Sequence, residues 1–523
     1  MKKIKIAALL IGIIIGGSSC KKWLDVNKSP NAPEIVAPNL YLGPMTTNMA
    51  TAAAYEGRYV GKYVQFWSQM TANDTYDRHG LVYNTDNPGE HWRVVYFLMG
   101  YNLIDMMTLS EKEQRWDLLG IGYAYKAWGW LQATQLHSDI IIKQAFDNSR
   151  KTFDYDDQEF AYKEIFRLLD LSIENLKRTD GSVSAAYIGE NDAIYKGNRE
   201  KWLKFAYGLK AMALNHFSNK ASYDPQAVID AVDLSFASSA DDAKFKFLGR
   251  DNASKNFLSP DRGNFTSVRQ TNFFLNILKG TNFYGVEDPR LKRLIFPAND
   301  GGFYGIDPTF AVTGTAAQQP KTIWGTSNTS GLDLPGNYVF NAKSSLPWMT
   351  YSQLQFIKAE AAFKKGDKLT ALDAYKNGIS SHIDFVNAAN AEAGNPAITP
   401  ITAAEKTAFM ASAAIPTDAN NLKLGDIMLQ KFIAQWGWAF NEQWTDLRRY
   451  HYTDLEPGSA TDQVFRGFQI PDPARLFTQN LGKPVYRLRP RYNSEYVWNI
   501  EALKKIGGDK EDYHTQEMWI FKP

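Results

Sequence analysis

The sequence predicts a mainly α-helical protein, built from helical hairpins with an irregular, loop-rich lobe inserted between them. Three observations carry this expectation. Apolar residues recur at helical spacing over several long segments. Residues 354–385 read as two helices joined by a tight Gly-Asp turn. Residues 249–349 hold 11 Gly and 7 Pro, and no helical period there lasts beyond about two turns.

The chain opens on Lys2, Lys3 and Lys5, then the apolar run Ile6 to Ile15, then Gly16, Gly17, Ser18 and Ser19. That order reads as a secretory signal over residues 1–19. Its apolar run makes about 15 Å of helix, short of the roughly 20 residues that span a bilayer core. Cys20 follows directly and is the chain's sole cysteine. The junction looks like a lipobox with Cys20 lipidated, although Gly17 stands where the usual lipobox has Leu. The alternative is an ordinary signal with an incidental cysteine. Several acyl chains on one residue would anchor the protein durably. Residues 20–38, rich in Pro and Asn, read as anchor and tether, and residues 39–523 as one domain carrying the lobe.

Within that domain, Leu119, Tyr123, Ala127, Trp130, Leu131 and Thr134 fall at helical spacing over 117–136. Over 201–217, Trp202, Phe205, Leu209, Met212 and Ala213 form one apolar stripe, while Lys201, Lys204 and Lys210 mark a solvated side. Residues 354–363 lead into Lys364-Lys365-Gly366-Asp367 and a second helix through Ala371, Ala374, Tyr375 and Ile379. Alanines let two helices approach closely, and Gly366 suits a left-handed helix end. The segment resembles one tetratricopeptide hairpin. Residues 157–176 with 201–217 read as a second, degenerate copy. The lobe is too long for a simple connection and reads as functional.

Composition excludes several chemistries. With no cysteine beyond Cys20, the mature chain has no disulfide, thiolate nucleophile or cysteine metal site. Removing a signal with three lysines takes the formal net charge from +2 to −1, so no nucleic-acid partner is expected. The seven histidines show no HExxH spacing, and neither a Gly-x-Ser-x-Gly elbow nor a Walker loop occurs. No catalytic residue and no cofactor is expected; whether calcium binds is not legible in the sequence. Aromatic residues make up 14% of the chain, which suits either a large helical core or a sugar-stacking surface.

Several blocks in order resemble the SusD/RagB family of outer-membrane nutrient-uptake lipoproteins. They are Cys20 followed by Trp-Leu-Asp-Val-Asn (23–27), Gly-Tyr-Ala-Tyr-Lys-Ala-Trp-Gly-Trp (122–130) and Lys-Trp-Leu-Lys-Phe-Ala-Tyr-Gly-Leu-Lys (201–210). Next come Glu-Asp-Pro-Arg-Leu (287–291) and Ala-Glu-Ala (359–361). Ile-Met-Leu-Gln-Lys-Phe (427–432), Gln-Trp-Thr-Asp-Leu-Arg-Arg (443–449) and Arg-Pro-Arg-Tyr-Asn-Ser-Glu (489–495) complete the series. The 201–210 and 443–449 blocks lean toward a SusD-like subgroup divergent from the starch-binding founder. The resemblance implies about four tetratricopeptide-like pairs beside an irregular lobe. It also implies a lipid-anchored, surface-exposed outer-membrane protein without catalysis. Such a protein captures an oligosaccharide and delivers it to a SusC-like TonB-dependent transporter. The alternatives are a RagB-like peptide-binding uptake subunit and, further off, a surface glycoside hydrolase.

Candidate ligand residues follow. Asn73, Asp74 and Asp77 put hydrogen-bonding groups on a polar loop after the first helix, and Tyr76 offers a ring for stacking. The resemblance supports this loop. From the lobe, Tyr284, Tyr304 and Trp324 stand among glycines where nothing local would bury them. Tyr123, Tyr125, Trp128 and Trp130 read as core, as do Trp436, Trp438 and Trp444. Asp446 with Arg448 or Arg449 reads as a structural ion pair.

Overall fold

A computed structural model describes residues 36–326 and 336–523. The expected signal, the Cys20 lipidation site and the tether's Trp23–Asn27 lie outside the described residues. Ten helices of nine or more residues organise the described chain. They are α1 (Leu42–Tyr63), α2 (Gly100–Lys112), α3 (Trp116–His137), α4 (Gln158–Lys177), α5 (Arg199–Asn215), α6 (Pro225–Asp233), α7 (Tyr351–Lys365), α8 (Lys368–Ala393), α9 (Leu424–Gln435) and α10 (Phe440–Arg449).

Each helix from α2 to α8 packs on the next in sequence, which makes a layered tetratricopeptide-like array. The sequence-adjacent pairs are α2/α3, α4/α5, α7/α8 and α9/α10, with α6 between α5 and α7 and α1 against α10. The paired 157–176 and 201–217 segments are thus α4 and α5. Asp157 starts α4 by accepting from Phe160 N at 2.7 Å, and Asn198 starts α5 by accepting from Lys201 N at 3.0 Å. Gly366, at φ 88°, ends α7, and Asp367 at once begins α8 by accepting from Thr370 N. Two residues therefore reverse the chain. The hairpin closes tightly, since a Cβ on Gly378 would fall 2.8 Å from the Phe356 ring.

Tyr125, Trp128 and Trp130 of α3 are buried, while Tyr123, expected in the core with them, is half-buried and packs against it. Tyr125 meets Trp202 edge-on at 5.7 Å. Trp436, Trp438 and Trp444 are buried as well. An ion cluster ties α7, α9 and α10 together. Glu360 accepts from Arg449 and from Tyr450 Oη, both at 2.6 Å, while Asp446 pairs with Arg449 at 2.6 Å and Lys431 at 2.8 Å.

The 249–349 lobe is irregular but not without order. Within it, β3 (Val268–Gln270) pairs antiparallel with β1 (Trp67–Gln69) and β4 (Ser345–Met349) with β2 (Ala243–Lys246). These two small pairings fasten the lobe to the segments that follow α1 and α6. No helix among the described residues is long and apolar enough to cross a membrane.

Candidate ligand-binding face

The loop after α1 is held in shape from within. Asp74 pairs with Lys62 Nζ at 2.7 Å and accepts from Tyr76 N and Asp77 N at 2.9 and 3.1 Å, an Asx-type turn. Asp77 accepts from Ser68 Oγ and Gln69 N at 2.9 and 2.8 Å and is fully buried. Burial pushes its carboxyl up to about 7 against the pull of Lys62. Asp77 is therefore a structural brace, a correction to the expectation that it meets ligand. Asn73 is exposed, and Asp74 and Tyr76 are half-buried.

Tyr76 lies in a row of rings. It packs on Tyr59 at 4.7 Å and on Tyr63 at 6.2 Å. Tyr55 joins Tyr59 at 5.8 Å and the lobe's Phe257 at 5.2 Å. Arg58 lies over Tyr55 and Tyr59 at 5.0 and 4.8 Å. Tyr55 Oη donates to Asn87 Oδ1, and Gln69 Nε2 donates to the lobe's Ser267 Oγ at 2.9 Å. The face thus combines a ridge of α1, the 70–90 loop and the lobe's 257–267 stretch. Tyr59, Tyr63 and Phe257 are buried beneath it, so of this row Tyr55 and Tyr76 are the half-buried rings that reach the surface, near exposed Asn73 and Ser267.

Across one salt bridge the face continues into a groove. Asp86 meets Arg491 at 2.6 Å and accepts from Asn493 N at 2.9 Å. Arg491 also lines a groove of about 430 Å³ with Arg93, Phe97, Tyr101, Phe146 and Ser494. Phe97 is 71% exposed and Tyr101 43%. Tyr101 stands edge-on to Phe146 at 5.5 Å and donates its hydroxyl to Phe146 O at 2.6 Å. Trp498, 76% exposed, follows shortly after the groove's Glu495. Sequence reasoning missed these rings. Val94–Met99, which carries Phe97, folds as a π-turn, a widened geometry frequent at functional sites.

The three lobe residues go to different places. Tyr284 keeps a half-exposed ring in a left-handed backbone conformation at φ 57°. Its hydroxyl donates to Asp426 at 2.8 Å, and Arg466 lies over the ring at 5.3 Å. It lines a separate pocket of about 420 Å³ with Asn282 and Lys423. Tyr304 is half-buried, its hydroxyl donating to Asp300 at 2.8 Å. Trp324 is 2% exposed and donates Nε1–H to Leu258 O at 2.8 Å. It belongs to the lobe's core, a correction to its reading as an exposed ring: residues distant in sequence cover it. The structure brings Asn73, Asp74 and Tyr76 together and does not bring Tyr284 or Trp324 to them.

Six of the seven histidines, all but His451, are buried. Burial pushes His79, His91, His137 and His514 down to about 3, which keeps them neutral. Among the described residues no group of three or more histidines, cysteines or carboxylates is arranged to hold a metal ion.

The SusD-like family model, described as starch-binding and associating with the outer membrane, matches residues 30–471. No curated protein matches the chain in sequence. Among solved structures it is similar to a SusD/RagB family protein from Bacteroides thetaiotaomicron VPI-5482, at TM-score 0.71 and 20% identity over 93% of this chain and 99% of that one. A SusD homolog from Bacteroides fragilis NCTC 9343 matches at TM-score 0.71 and 17% identity, over 93% and 100% of the two chains. A chitin-binding SusD homolog from Flavobacterium johnsoniae matches at TM-score 0.66 and 18% identity, over 92% and 98%.

Proposed function

The chain belongs to the SusD-like family, and from that premise we propose that it is a surface lipoprotein that captures an oligosaccharide and delivers it to a SusC-like TonB-dependent transporter. Anchoring is assigned to Cys20, with residues 39–523 acting as one binding unit. The observation that carries the reading is the face just described. Half-buried Tyr55 and Tyr76 share it with exposed Asn73, and the Asp86–Arg491 bridge joins it to a groove with outward-facing Phe97 and Tyr101.

Such a surface suits a sugar, whose C–H faces stack on rings while its hydroxyls need amide and guanidinium partners. Two or three rings at about 1 kcal/mol each, with a few hydrogen bonds at about 1 kcal/mol net, support micromolar to millimolar dissociation constants. A capture protein that must release its cargo needs no tighter grip. The reading contains no chemical step.

Affinity electrophoresis of the protein lacking its first twenty residues tests it, across glucans, fructans, mannans, chitin fragments and mixed peptides. Retardation by one glycan without release of reducing ends supports glycan capture. Retention by peptides alone would move the protein to the RagB-like reading, and reducing-end release would make it a hydrolase. Co-purification of a TonB-dependent barrel with the lipidated protein tests the partner.

A further inference from the structure

Away from that face, the open pocket of about 420 Å³ at Tyr284 lies between the lobe's turn 281–284 and the loop 461–467, beside the start of α9. Tyr284, 44% exposed, is its aromatic wall. The ring is fixed in place. Its hydroxyl donates to buried Asp426, 2.8 and 3.0 Å from the two carboxylate oxygens. Arg466, which lies over the ring, donates to the same carboxylate at 2.6 Å. A bulky residue at φ 57° is uncommon, and such a conformation persists where its surroundings over-determine it. Beside the ring, the side-chain amides of Asn282 and Gln463 line the pocket and bond to no group among the described residues. Both residues are half-buried, and neither amide is sealed from solvent. Their positions are set by the backbone. Gln463 bridges Leu455, and a Cβ on Gly467 would collide with the Asn282 amide.

We propose that this pocket is a second saccharide site, seating one neutral hexopyranosyl unit, separate from the face above and independent of what that face binds. Charge selects against ions. Arg466 is paired with Asp426 at 2.6 Å and Lys423 with Asp462 at 3.4 Å. The amides that open α9, Leu424 N and Gly425 N, already donate to Glu456, both at 2.7 Å. An anion would have to displace a carboxylate, and a cation would have to displace Arg466 or Lys423. The uncommitted groups are neutral: two side-chain amides, each offering N–H donors and an acceptor oxygen, and an aromatic ring. An apolar ligand would cover both amides without pairing them. A sugar ring matches all three, because its hydroxyls donate and accept at the rim while its C–H groups stack on the ring. A hexopyranosyl unit has about twelve non-hydrogen atoms. At roughly 30 Å³ for each water-sized group they need about 360 Å³, so the pocket seats one ring and leaves further units of a chain in solvent.

Methyl α-glucopyranoside, methyl α-mannopyranoside and methyl β-galactopyranoside are the probes, each titrated into protein carrying carbon-labelled threonine methyl groups. Thr281 and Thr461, both exposed in the pocket's lining, are the reporters. Thr281→Ser and Thr461→Ser identify their signals, since each loses the methyl and keeps the hydroxyl. At least one glycoside should shift both signals saturably, and the shift should persist in Tyr76→Ala, because that ring belongs to the other face. Tyr284→Asn removes the ring with a residue that tolerates a left-handed backbone. It should weaken that glycoside about fivefold, the worth of about 1 kcal/mol. The corresponding methyl uronate, which carries a carboxylate in place of the hydroxymethyl group, should bind more weakly than the neutral sugar. No saturable shift with any of the three glycosides would overturn the proposal, as would undiminished binding in folded Tyr284→Asn. Loss of the shift in Tyr76→Ala would remove the second site, and a uronate bound at least as tightly would defeat the neutral class. The comparison of neutral and acidic sugars on the wild-type protein stands even if Tyr284→Asn fails to fold. Because both reporters sit in this pocket, failure of the face to bind glycan would leave their shifts unchanged, so the two readings fail separately.

Discussion

Asp77→Asn should stabilise the protein at alkaline pH and leave glycan binding untouched. Asp77 is fully buried; its Oδ2 accepts from Ser68 Oγ and Gln69 N, while Oδ1 has no partner. Burial raises its carboxyl from 3.8 to about 7. The folded pKa lies above the unfolded one, so the group weakens the fold as pH rises from about 4 to about 7, and the full penalty persists above that. At 1.36 kcal/mol per pH unit the penalty is about 4 kcal/mol. The amide of Asn keeps the two accepted bonds through its oxygen but buries an unpaired NH2, which costs about 2 kcal/mol. The expected net gain is about 2 kcal/mol at pH 8, shrinking and then reversing toward pH 4. Urea unfolding of both proteins from pH 4 to 9 measures the gap. A variant less stable than wild type at pH 8 would refute the reasoning, because it would mean that Lys62 stabilises the carboxylate more than burial penalises it.

Other outcomes follow from the same geometry. Trp324→Ala should cost about 3–5 kcal/mol of stability, as for a large core ring, with glycan affinity unchanged at a temperature where it stays folded; melting and titration together check this. Glu360→Ala strips Tyr450 of its buried acceptor and Arg449 of one of its two buried carboxylates and should cost about 3 kcal/mol, read as a lower urea midpoint. His451 hydrogen-bonds with Asp454 and Glu517, which hold it up at about 9 despite partial burial. Its contribution is therefore present below about pH 6.5 and lost as pH rises toward 9. Because the side chain is 37% exposed, His451→Gln should flatten the stability profile in that window by only about 1 kcal/mol.

Much of the helical scaffold was legible because its signals are local. Gly366 and Asp367 sit side by side, one ending α7 and the other capping α8. Of the four α3 rings read as core, Tyr125, Trp128 and Trp130 are buried and Tyr123 is half-buried. Asp446 and Arg449 stand one helical turn apart and pair as expected. The binding face was legible only in part. Asn73 and Tyr76 stand out as polar-loop chemistry, but the burial of Asp77 arises only when β1 pairs with the distant β3. Glycines around Trp324 suggest exposure, yet Leu258 of a remote segment accepts its N–H. Phe97 and Tyr101 carry no local signal of exposure in the sequence; the fold sets both outward on the groove.

The most direct test of the central claim is calorimetric titration of a retained glycan into wild type and into Asn73→Ala, Tyr76→Ala and Tyr101→Ala. The account predicts saturable, product-free binding in the micromolar to millimolar range, with each substitution weakening it about fivefold, the worth of about 1 kcal/mol. Undiminished binding in all three variants would contradict the assignment of the face, and no saturable glycan binding at all would contradict glycan capture.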